Sequence, residues 1–204
     1  MLSKILSYAI AVMEENQRMG IIVACPTAGA CGIVPACIVA IAEEYNMDES
    51  SQISALLTAA GIGKLVAQKV ALAGAVAGCQ AECGVASAMA AGAVVQMMGG
   101  TNHQIINACA LTLKNLLGLA CDPIAGLVEV PCIKRNGFIA IHAICAAELS
   151  LAGVDSVVPF DEVVKAMSQI GDLMSPLLKE TSEAGLARST TGKRISNELI
   201  QKWH

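Results

Sequence analysis

The chain has 204 residues, of which 55% are apolar and 2% aromatic, and its formal net charge is −4. This length suffices for one domain with its own core, which must be built from Ala, Val, Leu, Ile, Met and Cys. Because charges of both signs are scattered and aromatic side chains are rare, the composition argues against a nucleic-acid-binding surface.

Helical patterns follow one another along most of the chain. They predict helices over residues 2–18, 33–45, about 51–72, 103–117 and 138–152, another after Pro159, and a short one at the C-terminal end. Residues 73–98 are mostly small and apolar, and predict one buried helix or two helices broken at glycine. Ser50 or Ser51 is expected to cap the third helix. Thr101 or Asn102 is expected to cap the helix that follows residue 102.

Three segments interrupt the helical pattern with Gly, Pro, Ser and Thr. They lie at residues 25–35, 117–137 and 180–194. Alternating apolar runs are few, and neither an internal repeat nor a linker-like stretch occurs. The sequence therefore predicts an all-α fold, a single compact helical domain over residues 1–204, with Gly- and Pro-rich loops forming the active site.

One uncharged stretch, from Gly20 to Ala42, is long enough to span a bilayer. Pro26, Pro35 and the sequence TAGACG would break such a helix in its middle, so we expect no membrane span. The N-terminal residues contain acids and lack a small-residue cleavage site, so we expect no secretory signal and a cytoplasmic location.

The chain has nine cysteines, and in the cytoplasm we expect reduced thiols rather than a disulfide framework. Two of them, Cys121 and Cys132, bracket the irregular stretch CDPIAGLVEVPC. Pro123 and Pro131 deny helix there, and Gly126 permits a reversal of the backbone. Such a loop can bring both thiols to one iron–sulfur cluster.

A third cluster ligand has to come from elsewhere, and the pattern leaves Cys79 and Cys83 equally available. The alternative is that all these cysteines are buried structural thiols. His103 and His142 have no cysteine at close helical spacing, which gives a zinc site little support. We interpret His103 as facing solvent and His142 as hydrogen-bonded in the core. No lysine lies in a setting that suggests a Schiff base with pyridoxal phosphate (PLP).

Four blocks of the sequence resemble a known family. They are PTAGACGIVPA (26–36), AGCQAECGVASAMAAGA (77–93), LKNLLGLACDPIAGLVEVPCIKRN (113–136) and TSEAGLA (181–187). In this order they resemble the α chain of iron–sulfur-dependent bacterial L-serine dehydratase, also called L-serine ammonia-lyase. The resemblance covers most of residues 20–193 and rests on long blocks rather than on one short motif.

The resemblance implies a [4Fe–4S] cluster held by Cys79, Cys121 and Cys132, and no PLP. It leaves the other cysteines as packing residues. They are Cys25, Cys31, Cys37, Cys109 and Cys145, and the resemblance chooses Cys79 over Cys83 as the ligand. One iron without a cysteine ligand would act as a Lewis acid on the hydroxyl of L-serine while a base removes the α-proton, giving pyruvate and ammonia.

The irregular segments contain the residues that we expect to contact substrate. These candidates are Thr27, Ala28 and Gly29 before a helix, Arg135 and Asn136 after the last cysteine ligand, and Thr181 and Ser182 in the last irregular segment. The loop at residue 27 can form a cradle of N–H groups for a carboxylate, or it can be a tight crossing of the chain. Arg135 can neutralise the substrate or the cluster, or it can form a surface ion pair.

The general base is not identified in this chain, where only His103 and His142 stand as weak candidates. The resemblance implies a β-type domain or chain whose histidine motif supplies the base. We therefore expect a β subunit as partner, a homo- or hetero-oligomer, and little turnover by the isolated chain. The stretch that precedes the PTAG block in α chains is missing, so we expect a truncated fragment or a shortened α subunit.

Two other functions remain open at this point. One is a related cluster lyase that acts on cysteine or threonine. These substrates differ from serine by one atom or by one methyl group, and only the geometry of the pocket can discriminate between them. The other is a helical subunit that supports a partner and does not itself catalyse a reaction.

Overall fold

A computed structural model describes residues 1–127 and 129–203, which form an all-α fold. The helices are α1 (Leu2–Gln17), α2 (Ile33–Glu44), α3 (Glu49–Ala67), α4 (Gly74–Ala77), α5 (Val85–Met97), α6 (Asn102–Lys114), α7 (Cys132–Leu151), α8 (Phe160–Leu173) and α9 (Thr190–Trp203). The predicted fold class is therefore confirmed. Within the described residues, no helix combines the length and the apolar character needed to cross a bilayer.

Helix α5 lies at the centre of the core and is buried from Val85 to Val95. Helices α2, α3, α6 and α7 surround it. At Gly92 an added Cβ would lie 2.4 Å from Ile62 Cδ1 on α3 and 3.1 Å from Cys109 Sγ on α6. Small side chains let the neighbouring helices approach closely, which is how a core with few aromatic residues is filled. The predicted buried run is confirmed.

The run of residues 73–98 forms two helices rather than one. Helix α4 ends before Gly78, which has a φ of +77° and where an added Cβ would lie 2.9 Å from the carbonyl oxygen of Leu119. A π turn over Gln80–Gly84 then leads into α5. The prediction of two helices broken at glycine is thus confirmed, and the break places Cys79 at the start of the π turn.

Two helix caps test the sequence-based expectations. Thr101 caps α6 as predicted, and its hydroxyl accepts the backbone N–H of Gln104 at 3.2 Å. The prediction for α3 is wrong, because Asp48 is the cap and its carboxylate accepts the N–H of Ser51 at 2.9 Å. Asp is as good a cap as Ser, and here it lies at the position with extended backbone.

Helix α7 begins at Cys132, six residues before the predicted start at residue 138. Pro131 prevents a helix upstream but is compatible with a helix start. Gly137 does not break the helix, since it lies against α1, where an added Cβ would be 3.1 Å from Leu6 Cδ2. Arg135 and Asn136 are therefore held on the first turn of a long helix rather than in a loop.

Candidate metal centre and active site

Three cysteines from distant parts of the chain meet at one buried site. Cys79, Cys121 and Cys132 are each exposed by no more than 4%. Burial raises the pKa of Cys132 to about 12 and also raises that of Cys121, and the charge of Cys79 adds to both shifts. Glu82 lies within 4.8 Å of the sulfur of Cys79, and an added Cβ at Gly74 would lie 3.1 Å from both Glu82 Oε2 and Cys121 Sγ. On the other side, the amide of Asn136 donates to the carbonyl oxygens of both Cys132 and Gly29. The structure thus brings together the cysteines that the resemblance singled out.

Cys79 and Cys83 lie side by side, with their Sγ atoms 3.3 Å apart. The hydrogen bond between them, together with the nearby Arg135 guanidinium, lowers the pKa of Cys79, and the same bond raises the pKa of Cys83. The Arg135 guanidinium lies beside the sulfur of Cys79 and favours a thiolate there. The thiolate is the form that binds metal, so the position of Arg135 supports Cys79 as the ligand of the pair.

Arg135 brings a positive charge to the cysteines. Its side chain is 15% exposed, and it donates to the carbonyl oxygen of Ala120 at 3.0 Å and to Asp122 Oδ1 at 3.3 Å. The guanidinium also lies beside the sulfur of Cys79. The alternative of a surface ion pair is wrong, because Asp122 is itself largely buried. The cation therefore offsets negative charge on the sulfur of Cys79.

The stretch that begins at Cys121 reverses direction before it reaches Cys132. Ala125 and Gly126 both have a positive φ, of 56° and 73°. The N–H of Ile124 then donates to the carbonyl oxygen of Val130 at 3.0 Å, which closes the reversal. Glycine adopts this backbone conformation at little cost, so the reversal predicted at Gly126 is confirmed. The fold-back lets the two flanking thiols reach one site.

The last irregular segment packs against this reversal. The N–H of Cys121 donates to the carbonyl oxygen of Leu178 at 2.9 Å, and the N–H of Glu180 donates to that of Cys121 at 2.7 Å. Farther along, the N–H of Leu186 donates to Asp122 Oδ2 at 2.9 Å. Residues 178–186 therefore hold one side of the site in place.

The PTAG loop, residues 26–32, forms another side of the site. The hydroxyl of Thr27 donates to Oε1 of Glu82, and the same carboxylate packs closely against Gly29, where an added Cβ would lie 2.5 Å from Oε1. Burial raises the pKa of Glu82. The cradle that the sequence predicted for a substrate carboxylate therefore holds a carboxylate of the chain itself. Ala28 lies exposed on the same loop.

Asn136 lies behind the PTAG loop and is fully buried. Its Oδ1 accepts the N–H of Gly32 at 3.1 Å, and its Nδ2 donates to the carbonyl oxygens of Gly29 and Cys132 at 2.8 and 2.9 Å. With these groups satisfied by the protein, the side chain supports the loop rather than facing a ligand.

The comparison with known proteins settles the family. The family model described as the serine dehydratase alpha chain matches residues 1–187. This chain belongs to that family. It is 50% identical over 201 residues to the L-serine dehydratase alpha chain of Peptoniphilus asaccharolyticus. It is 48% identical to the probable L-serine dehydratase alpha chains of Bacillus subtilis (strain 168) and of Latilactobacillus sakei.

These matches cover nearly all of this serine dehydratase alpha-chain family member, but different shares of the relatives. They span 98%, 95% and 94% of this chain, and 69%, 65% and 92% of the three relatives in the same order. The chain thus spans about two thirds of the length of the first two. It also matches 40% of the length of an L-serine dehydratase of Escherichia coli (strain K12), with 40% identity.

The two histidines in the described part of the chain, His103 and His142, lie away from the cysteines. His103 is exposed on the first turn of α6. This turn is next to the end of α5 that is opposite the site, and α5, which separates the two, is roughly 20 Å long. His142 is half-buried and its Nε2 lies 3.1 Å from the carbonyl oxygen of Thr112. It follows Cys132 by ten residues on α7, or about 15 Å. The structure therefore does not bring either of them to the site.

Ser182 joins the last irregular segment to the backbone reversal between Cys121 and Cys132. Its hydroxyl donates to the carbonyl oxygen of Pro123 at 2.5 Å and accepts the N–H of Gly126 at 3.0 Å. Ser182→Ala leaves both backbone groups without this partner, and we expect a loss of about 1–2 kcal/mol in local stability. Hydrogen exchange of residues 121–127 should become faster.

Thr181→Ala is the matched control for this change. The hydroxyl of Thr181 is exposed and bonds only within its own turn, to the carbonyl oxygen of Leu177 and the N–H of Glu183. Exchange of residues 121–127 should stay at the wild-type rate in this variant. Equal effects of the two substitutions would contradict the bridging role of Ser182.

Sequence reasoning missed two residues that shape the site of the alpha chain. Gln80 is fully buried, and its Nε2 donates to the carbonyl oxygens of Ala77 and Met167 at 3.0 Å while its Oε1 accepts the N–H of Gly118 at 2.9 Å. These bonds fix the backbone next to Cys79. Glu82, the carboxylate that the PTAG loop binds, is the other. Met167, Gly118 and Thr27, the partners that fix these two side chains, are far away in sequence, so no local pattern could reveal their roles.

Proposed function

We propose that this chain is the cluster-binding catalytic subunit of an iron–sulfur-dependent L-serine dehydratase, which converts L-serine to pyruvate and ammonia. The observation that carries the proposal is the convergence of Cys79, Cys121 and Cys132 beside Arg135. Three buried thiols can ligate three irons of an iron–sulfur cluster, and the neighbouring cation offsets negative charge on the thiolates. Membership of the serine dehydratase alpha-chain family supports the choice of substrate.

The chain's own residues would hold a [4Fe–4S] cluster through Cys79, Cys121 and Cys132. Such a group, when bound, supplies Lewis acidity toward the hydroxyl that serine loses. Arg135 offsets the negative charge of the thiolates and is itself held by Ala120 and Asp122. These fixed contacts keep the guanidinium in place without reorganisation during the reaction.

Serine binds between the PTAG loop and Arg135 in this proposal. Its carboxylate faces the guanidinium and the exposed backbone at Ala28, while Thr27 and Gly29 shape the loop through Glu82. Ser182 and the exposed Thr181 lie on the segment that packs against Cys121. Holding the substrate by its charge in one pose lowers the entropic part of the barrier.

The general base comes from a β-type partner in this proposal. His103 and His142, the histidines in the described part of the chain, lie far from the cysteines along α5 and α7. An alpha chain implies a partner β subunit. A histidine placed there at the open side of the site would complete the acid–base chemistry.

The direct test is serine turnover by the chain produced anaerobically with its β-type partner. L-Serine should give pyruvate and ammonia in equal amounts, while the alpha chain alone should be nearly inactive because it lacks the base. L-Cysteine and L-threonine are the matched alternative substrates. Each substrate is assayed alone: a coupled lactate dehydrogenase assay measures pyruvate from serine and from cysteine, released sulfide is measured in addition for cysteine, and 2-oxobutyrate is measured for threonine.

Each outcome of this test decides between the proposals. Full activity of the isolated chain would reject the need for a partner and return attention to His103 and His142. Faster turnover of cysteine or threonine than of serine would favour the related lyase. Activity that persists in iron-free protein would reject the cluster, and no turnover by the complete complex would favour a supporting subunit.

A further inference from the structure

Glu82 is a carboxylate that neither the cluster ligands nor the expected substrate residues account for. It lies in the π turn three residues after Cys79, with its side chain half-buried. One oxygen of its carboxylate lies within 4.8 Å of the sulfurs of Cys79 and Cys83. The carboxylate is therefore at the boundary between the cysteines and the PTAG loop.

Two glycines leave the space that the Glu82 carboxylate fills. An added Cβ at Gly29 would lie 2.5 Å from Oε1, and one at Gly74 would lie 3.1 Å from Oε2. The Gly74 position is also 3.1 Å from the sulfur of Cys121. The carboxylate is thus enclosed between the loop and the backbone that precedes Cys79, and Thr27 fixes its orientation through a hydrogen bond.

The PTAG loop is held on its opposite side by Asn136, which binds Gly29 and Gly32. Asn136 follows Cys132 by four residues, and its amide also donates to the carbonyl oxygen of Cys132. Two side chains therefore hold the loop, and each lies about one helical turn after a proposed cluster ligand. Glu82 follows Cys79, and Asn136 follows Cys132. The positions of these two cysteines consequently determine where the loop sits.

We propose that Glu82 is a positioning residue, whose carboxylate clamps the PTAG loop at the distance from the cysteines that serine binding requires. This inference rests on the proposed function. Glu82 acts through Thr27 and Gly29, and Asn136 holds the loop from behind. Misplacement of a substrate-binding loop by about 1 Å can lower catalysis by about a hundredfold.

The test compares Glu82→Ala and Glu82→Gln in the cluster-loaded complex with the β-type partner. The glutamine side chain retains an oxygen that accepts the Thr27 hydroxyl, whereas alanine removes it. We expect E82A to raise the KM for serine by about tenfold or more, with a smaller change in kcat and with the iron content of the wild type. E82Q should restore most of the affinity.

A second readout measures the loop independently of catalysis. In E82A, hydrogen exchange of residues 26–32 should become faster, while exchange in α3 and α6 stays unchanged. Thr27→Val removes the same hydrogen bond from the loop side and serves if E82A does not fold. The double variant should be no worse than either single one, because both remove one interaction. Glu148→Ala, at an exposed position near the far end of α7, is the matched control.

Two results would overturn the clamp. One is wild-type KM and wild-type exchange of the loop in E82A. The other is loss of iron in E82A with normal exchange of the loop, which would assign Glu82 to the cluster instead. If the wild-type complex binds no iron and does not turn over serine, the proposed function fails, and the exchange comparison still decides whether Glu82 holds the loop.

Discussion

Replacing Cys79, Cys121 or Cys132 by serine should leave the anaerobically purified chain nearly free of iron and sulfide, and inactive with its partner. The wild type should contain about four irons and four sulfides per chain. A hydroxyl is a poor substitute for a thiolate toward iron. Changes in the surroundings of metal ligands already cost about 10- to 100-fold in affinity, so loss of a ligand should cost more.

Cys83→Ser is the sharpest control for this result. Cys83 lies 3.3 Å from Cys79, is equally buried, and differs from it in the position relative to Arg135. Iron content should remain near the wild-type value, because the serine hydroxyl can still hydrogen-bond the sulfur of Cys79 and Cys83 is not a ligand in this proposal. Cys145→Ser controls for an exposed thiol. Equal iron loss from the Cys79 and Cys83 variants would contradict the ligand set.

Arg135→Ala should lower the free energy of unfolding of the iron-free chain by about 3 kcal/mol or more. The substitution leaves Asp122 largely buried without its cation, and breaking a buried pair by removing one partner typically costs about 3–5 kcal/mol. It also removes the donor to the Ala120 carbonyl oxygen. Urea unfolding followed by circular dichroism measures this change.

Two further variants separate the pair from other effects of Arg135. Arg135→Lys keeps the charge but not the planar fork, and should cost less than the alanine change. The double variant with Asp122→Ala should be less destabilised than the sum of the single changes, since the buried charge is removed as well. If the losses of unfolding free energy in the two single variants simply add in the double variant, a direct coupling between these two side chains is contradicted.

Helices with continuous apolar patterns were predictable from the sequence, and their boundaries were less so. The buried run of α5 and the cap at Thr101 follow from local composition. The early start of α7 depends on Gly137 fitting against Leu6 of α1, a contact between residues far apart in the chain. Local propensity treats a glycine as a helix breaker and cannot see such packing.

In the candidate site, too, the features with local causes were predictable and those that depend on distant residues were not. The reversal at Gly126 could be predicted because prolines and glycines act locally. The pattern left Cys79 and Cys83 equal as the third ligand, and only the resemblance chose between them. The roles of Asn136 and Glu82 were not predictable, because their partners lie across the fold. Asn136 was expected to face substrate, yet its burial gives it the PTAG loop as its partner.

The small side chains of α5 have a consequence for how this protein tolerates sequence change. In a core of Leu and Phe, truncation creates cavities, and enlargement is the rarer danger. Here Ala88, Ala91 and Ala93 have small side chains, so truncation removes little volume, and their neighbours lie close by. Adding methylene groups would force helices apart at a cost of about 1–3 kcal/mol each. Substitutions along α5 should therefore be tolerated only up to a maximum volume of the new side chain.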